Sequence, residues 1–364
     1  MTALEHLTIL DLTRLLPGAA ATQMLAAFGA RVIKVEQPGV GDYARHSFGT
    51  EGLNPLFLET NRNKQSITLD LKRDQGKVVL RQLVARADLL VEGFRPGVMA
   101  RLGLSYEALA LVNPQLIYVA LTGYGQTGEY AQMAGHDLNY LAMAGVLNEI
   151  GTPDAPCMAG VQLADLAGGS QQVVMGALVA LEARHRTGLG QFVDVSMMHG
   201  VMSLLPVPYS MYQATGRVPE RGNELLSGRF ACYNIYPTCD GRWVTVAALE
   251  AKFWQALCHE LGVPELVTEQ FSERQDEVKA EIAAVFVTDT ADAWFERLRD
   301  NDCCVAPVRT VADVQVTPGP KLSATPAAYT SDAPGLGAHT GAILQELGYS
   351  GEQIEDFRKH GITG

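Results

Sequence analysis

The first two hundred residues alternate between two hydrophobic periods, and this alternation limits the fold more than any other feature. "LTILDLT" (7–13) is a short β-type run, and "GAAATQMLAAFGA" (18–30) is Ala-rich and helical, with Gly29 placed to end it. "RVIKVEQPG" (31–39) is a second strand closed by a Pro-Gly turn, and a helix around Gln75–Arg86 leads to the strand "DLLVEGF" (88–94). "QLIYVALTGYG" (115–125) and "QFVDVSM" (191–197) supply further strands. Between them a long helix, "LAGGSQQVVMGALVALEARH", follows Asp165 and ends in basic residues before Gly188. Strands that alternate with helices form a parallel sheet covered on both faces, and such sheets bind ligands beyond the carboxyl ends of their strands.

The texture changes near Arg217. "FACYNIYPT" and "RWVTVAAL" flank an Asp240-Gly241 turn, which is a hairpin signal. Pro206 and Pro208 interrupt a helical stretch from His199 to Gly216, and a Pro/Gly-rich segment runs to about Ala338 before a short helix, "TGAILQELGYS". The expected organisation is a large Rossmann-like α/β domain over 1–194, completed by 339–364, and a smaller α+β domain over 227–308. Segments 195–226 and 309–338 are expected to link them.

Composition narrows the function. With 47% apolar and 19% charged residues the chain can bury a core. A net charge of −12 argues against nucleic acid as a partner, since phosphate binding needs a basic surface. The start of the chain lacks a basic stretch followed by an apolar one, and no apolar run reaches about 18 residues, so the expected location is the cytoplasm, away from membranes. None of the six cysteines shows CxxC spacing, which predicts buried free thiols and no metal site.

Three acidic or basic positions carry two readings each. Asp165, in "QLADLAGGS", is either an N-cap or a carboxylate held charged at a helix start as base or nucleophile. His136, beside Asp137 at the start of a small-residue helix, is either a loop histidine or a general acid–base. Glu250 ends a strand and opens a helix, which is favourable dipole chemistry or a functional carboxylate at a domain edge. Basic residues recur at strand ends, among them Arg14, Lys34, Arg45, Lys64, Lys72, Arg95 and Arg101. In "EGFRPG", Arg95 follows a strand and precedes a rigid turn, a placement suited to phosphate. The first βα turn, "DLTRLLPGAAA", lacks the GxGxxG fingerprint of dinucleotide sites, and no GxSxG, phosphate-binding P-loop or HExxH motif occurs.

Taken in order, "DLTRLLPG", "GARVIKVEQP", "NRNKQSITLDLK", "ADLLVEGFRPGVMARLGL", "LIYVALTGYGQTG", "AGHDLNYLAMAGVLNEIG", "LADLAGG", "RTGLGQFVDVSM" and "DGRWVTVAALEAKFW" resemble the family III CoA-transferases, and within them the α-methylacyl-CoA racemases. The resemblance implies that Asp165 occupies the place of the transferases' nucleophilic aspartate. It also implies that His136, in "GHD-x-NY", and Glu250, in "ALEAKF", complete a racemase set. The implied activity is inversion at C2 of a 2-methylacyl-CoA in lipid metabolism, by 1,1-proton transfer through an enolate stabilised by amides at the helix starts after Asp165 or Asp137. CoA transfer between carboxylic acids through an aspartyl anhydride is the alternative. The resemblance also implies that coenzyme A enters as part of the substrate, held near Arg45, Lys64, Lys72, Arg95 and Arg101, with no further cofactor required and no metal. The implied assembly is an interlocked homodimer in which Glu250 reaches His136 across the subunit interface. The chain departs from the racemase pattern at "LLSGRFACY", where Ser227 and Arg229 replace an Asp and a small residue, and at Glu129, where Pro is common.

Overall fold

A computed structural model describes residues 2–46 and 54–364. The chain packs as two units. The first comprises Met1–Val146, Ala159–Leu205 and Pro318–Gly364, and the second Leu147–Met158 and Pro206–Thr317. The segment 195–226, expected as a linker, is therefore divided between the units and carries helices at Met197–Met202 and Pro206–Thr215.

The first unit is built on a six-stranded parallel sheet. Its strands are β1 Thr8–Leu12, β2 Arg31–Glu36, β3 Lys64–Thr68, β4 Leu89–Glu92, β5 Ile117–Thr122 and β6 Phe192–Ser196, in the spatial order β3-β2-β1-β4-β5-β6. β4 and β5 are buried along their whole length, as strands covered by helices on both faces must be. The helices are α1 Leu15–Ala27, α2 Pro55–Thr60, α3 Asp74–Val84, α4 Val98–Arg101, α5 Tyr106–Ala110 and α6 Asp137–Met143. A π-helix, Ala164–Ser170, then runs directly into α7, Gln171–Thr187, and α8 covers Met197–Met202. The chain reverses its direction of travel across the sheet between β1 and β4. The crevice beyond their carboxyl ends is the position where open α/β sheets take ligands.

The carboxyl-terminal segment belongs to this unit. Ile343, Leu344, Ile354, Phe357 and Ile362 are buried in the same core as Leu10, Ile33, Ile67 and Leu90 of the strands. Each such side chain stabilises by about 1.5–3 kcal/mol when fully buried, which anchors a segment that would otherwise fray.

The second unit has its own core around Trp254, Phe286 and Trp294. α9 (Pro206–Thr215) opens on Pro206, whose missing N–H costs nothing at a helix start, so the interruption expected from the prolines falls at residues 203–205. β7 (Tyr233–Pro237) and β8 (Trp243–Ala247) form the hairpin, with Gly241 at φ 73° in its turn. β9 (Val305–Pro307), out of "NDCCVAPV", adds a third antiparallel strand. α10 (Ala251–Glu260), α11 (Gln275–Phe286) and α12 (Ala291–Leu298) pack with this sheet. The six cysteines are free, with Cys232, Cys258 and Cys303 buried. Cys157, Cys239 and Cys304 are exposed, against the expectation of burial. Among the described residues, no helix is long and apolar enough to cross a membrane.

Candidate active site

At the sheet's switch point lies a cleft of about 880 Å³ within the first unit. Its walls are the segments that follow three strands: Thr13–Gly18 after β1, which runs into the first turn of α1, Gly93–Pro96 after β4, and Gly123–Tyr124 after β5. His136, Tyr140 and Asp165 close it. His136 and Asp165, far apart in sequence, thus line one cavity. A smaller cavity of about 310 Å³ shares Thr13, Arg14, Tyr43 and Phe94 with it and carries Lys72.

His136 occupies the N-cap position of α6. Its backbone N–H donates to Asn139 Oδ1 at 3.1 Å, which fixes the entry of the helix, and its ring is exposed to the cleft side. Asp137 faces the other way. Its Oδ1 accepts the amide of Ala164 at 2.7 Å and that of Asp165 at 3.0 Å. Asp137, not Asp165, therefore caps the helix that carries Asp165. This corrects the reading of Asp165 as an N-cap and places it in the first turn of the π-helix. It also removes the amides at that helix start as enolate donors, because Leu166 N–H is engaged by Gln162 O at 3.0 Å.

The electrostatics of Asp165 are the reverse of the helix-start expectation. Burial raises its pKa from 3.8, and the charge of Asp137 raises it further, to about 7. Tyr140 is raised in the same way, to about 12, by burial and then by the charge of Asp165. The Tyr140 hydroxyl donates to Gly135 O at 2.5 Å, and its ring crosses that of Tyr124 edge-on at 5.1 Å. Gly123 is required there, since a Cβ on it would fall 2.3 Å from the Tyr140 ring.

The π-helix is held by backbone packing. A Cβ on Gly200 of α8 would lie 2.0 Å from Gly168 O, so the two segments meet main chain to main chain. Ser170 Oγ donates to Pro17 O at 2.6 Å, tying the π-helix to the first turn of α1. π-Turns inside α-helices recur at functional sites, because the wider turn re-aims a side chain.

The five cations expected near coenzyme A separate into two groups. Lys72 lines the smaller cavity, Arg95 lines the larger one, and Arg101 is exposed at the end of α4. Arg45 and Lys64 are internal, which corrects their expected exposure to a ligand. Lys64 Nζ is fully engaged by Asp11 Oδ2 at 3.0 Å, Ala19 O at 2.8 Å and Asn61 Oδ1 at 2.9 Å. Arg45 makes a two-pronged pair with Glu36 at 2.7 Å for both contacts and donates to Pro334 O at 3.1 Å. With Lys34 and Asp42 these residues form a network of three carboxylates and three cations, each at most 4% exposed.

Such a network is tolerable only because charge and hydrogen bonds balance inside it. Burial works against the charge on Asp11, yet Lys34 and Lys64 overcome it and hold the carboxyl well below its ordinary range. Lys64 is lowered to about 8, first by burial. The network reaches the cleft through the β1–α1 turn. Lys34 Nζ donates to Thr13 O at 3.0 Å, and Asp42 Oδ1 accepts Leu15 N–H at 2.9 Å, holding Leu15 at φ 62° in the left-handed region.

Arg14 was not among the expected ligands. It stands at the junction of the two cavities, with its guanidinium 4.8 Å from the Tyr43 ring centre and 5.3 Å from that of Phe94, and a 3.0 Å hydrogen bond to Tyr43 Oη. Glu250 belongs to the second unit. It is the N-cap residue of α10, exposed, and its side chain makes no cap hydrogen bond. Among the described residues, no group of three or more His, Cys, Asp or Glu side chains is arranged to hold a metal ion.

This arrangement joins a cleft at a parallel-sheet switch point to a histidine and a near-neutral carboxyl. The profile of CoA-transferase family III matches residues 4–319. The chain belongs to the family III CoA-transferases. As a member of that family it is similar to enzymes of two kinds. It is 37% identical to the α-methylacyl-CoA racemase of Homo sapiens, over 97% of this chain and 95% of that one. It is 34% identical to the succinyl-CoA–D-citramalate CoA-transferase of Chloroflexus aurantiacus, over 94% of each. Among solved structures, a CAIB/BAIF family protein from Brucella suis is similar with a TM-score of 0.82 at 31% identity, covering 95% of this family III chain and 99% of its own.

Proposed function

We propose that the protein is an acyl-CoA racemase that inverts C2 of a 2-methylacyl-CoA. The observation that carries this reading is the Asp165 carboxyl, which shares one cleft with His136 and has its pKa raised to about 7. A racemase needs two groups that each hold and release a proton near neutral pH, one on either face of a planar intermediate. A nucleophilic aspartate needs no raised pKa, since a carboxyl of ordinary pKa is already ionised at pH 7.

In the proposed reaction, one of the pair removes the C2 proton. The C–H electrons move into the thioester, giving an enolate with charge on its oxygen, and the other group delivers a proton to the opposite face. Inversion leaves one group protonated and one deprotonated, with roles exchanged. The first turn of α6 is the proposed donor to the enolate oxygen, since the amides at the start of the π-helix are engaged. Coenzyme A is proposed to enter as part of the substrate, with Lys72, Arg95 and Arg101 toward its phosphates and the smaller cavity, walled by Phe94, for its adenine. An interlocked homodimer belongs to the same proposal, and it would bring Glu250 of one subunit to the partner's His136.

CoA transfer between carboxylic acids is the second reading, favoured by the similarity to a succinyl-CoA transferase. Substitution separates the two. Under the racemase reading His136→Ala and Asp165→Ala each abolish inversion at C2. A transferase would lose activity with Asp165→Ala and retain it with His136→Ala.

A further inference from the structure

We propose that Asp137 is a positioning residue, whose single carboxylate oxygen joins the helix start that carries His136 to the π-helix turn that carries Asp165 and so sets the gap between them. The inference rests on the racemase reading and adds a residue to it.

The geometry supports a specific tie. Asp137 is the first residue of α6 and directly follows His136, so any shift of the helix start moves both. Its Oδ1 accepts two consecutive amides, of Ala164 and of Asp165 itself, at 2.7 and 3.0 Å. The two segments are joined by no other side-chain hydrogen bond among the described residues. A charged acceptor gives stronger hydrogen bonds than a neutral one, and here it satisfies two amides at once. The π-helix is otherwise held on its far side, by Gly168 against Gly200 and by Ser170 against Pro17. Asp137 fixes the end nearest the chemistry.

The same carboxylate acts on Asp165 electrostatically. The titratable or charged groups around Asp165 are Asp137, Tyr140 and His136 from α6 and its cap, Arg95 and Tyr124 from the strand-end turns, and Arg14 before α1; on α8, which packs against the π-helix, the one titratable side chain is the exposed His199. Of these, Asp137 is the one whose charge adds to burial in raising the Asp165 carboxyl. A position that both places a proton-transfer group and tunes it should resist neutral replacement in two distinguishable ways.

The test compares Asp137→Asn with Asp137→Ala in the full-length protein. Deuterium exchange at C2 of a 2-methylacyl-CoA is followed across pH, and the Asp165 carboxyl is titrated by carbon-13 NMR, assigned by its loss in Asp165→Asn. Asp137→Ala should lower kcat about 100-fold, the scale of a misplacement near 1 Å, with KM changed less than about threefold. Asp137→Asn keeps an oxygen for the two amides and should recover at least about tenfold over Asp137→Ala, while the Asp165 midpoint falls in both variants. Unchanged kcat with an unchanged midpoint would overturn the proposal, as would equal losses in kcat and KM with no shift in midpoint. If the unaltered protein shows no exchange, the racemase reading fails. The fall of the Asp165 midpoint in Asp137→Asn then still decides whether Asp137 acts on Asp165.

Discussion

Replacing Asp165 with Asn should make the protein more stable at alkaline pH and leave it nearly unchanged in acid. The folded state raises this carboxyl from 3.8 to about 7, so between those values the native chain holds a proton that the unfolded chain has released. A group raised in this way contributes its full stability below about pH 4 and loses it as pH rises through 7. A rise of about three pH units, at 1.36 kcal/mol each, sets a ceiling of about 4 kcal/mol on the penalty above pH 7. Partial exposure of the side chain screens part of this, leaving an expected gain of about 2–3 kcal/mol for Asp165→Asn at pH 8. At pH 4 the difference should shrink to about 0.5 kcal/mol, since the native carboxyl is then protonated and the unfolded one is only a little more than half ionised. The assay is urea unfolding at the two pH values. It is best followed by far-UV circular dichroism, because Trp243, Trp254 and Trp294 all lie in the second unit and report poorly on the first. An equal or lower midpoint for the variant at pH 8 would refute the claim that burial and Asp137 raise Asp165.

Three further outcomes are expected, two from the packing and one from the proposed dimer. Lys64→Met should destabilise the protein by about 3–5 kcal/mol in urea at pH 7, because it leaves a buried Asp11 short of its nearest cation. A stable variant with weakened coenzyme A binding would restore Lys64 as a ligand. Gly200→Ala sets a Cβ 2.0 Å from Gly168 O and should cost about 1–3 kcal/mol while slowing turnover through displacement of Asp165, both read on one purified sample. Co-expression of His136→Ala with Glu250→Ala chains should give about a quarter of the unaltered activity, since half the dimers would be mixed and each would hold one intact shared site. No recovery over either single variant contradicts a site built from two subunits.

Much of the architecture was legible in the sequence because its signals are local. The strands of the first unit are short apolar runs punctuated by Gly and Pro, and the hairpin announces itself through Asp240-Gly241. β9 escaped because its three residues include Pro307 and gain strand character only by pairing with β8, some sixty residues earlier. His136 and Asp165 were found through motif resemblance, while their meeting in one cleft depends on contacts between distant segments. The misplaced cations have a related cause. A lysine in a strand gives no sign of whether it faces solvent or a carboxylate, and the partner of Lys64 lies 53 residues away at Asp11. The role of Asp137 was hidden for the same reason, since its acceptors' partners, Ala164 and Asp165, are 27 and 28 residues further along.

The central claim is proton transfer at C2 by His136 and Asp165. One enantiomer of a 2-methylacyl-CoA, incubated with the protein in D2O and followed by proton NMR, tests it directly. The account predicts deuterium entering at C2 together with loss of optical purity. Retention of the C2 proton, with coenzyme A moving onto added succinate, would contradict it and make Asp165 the nucleophile of a transferase.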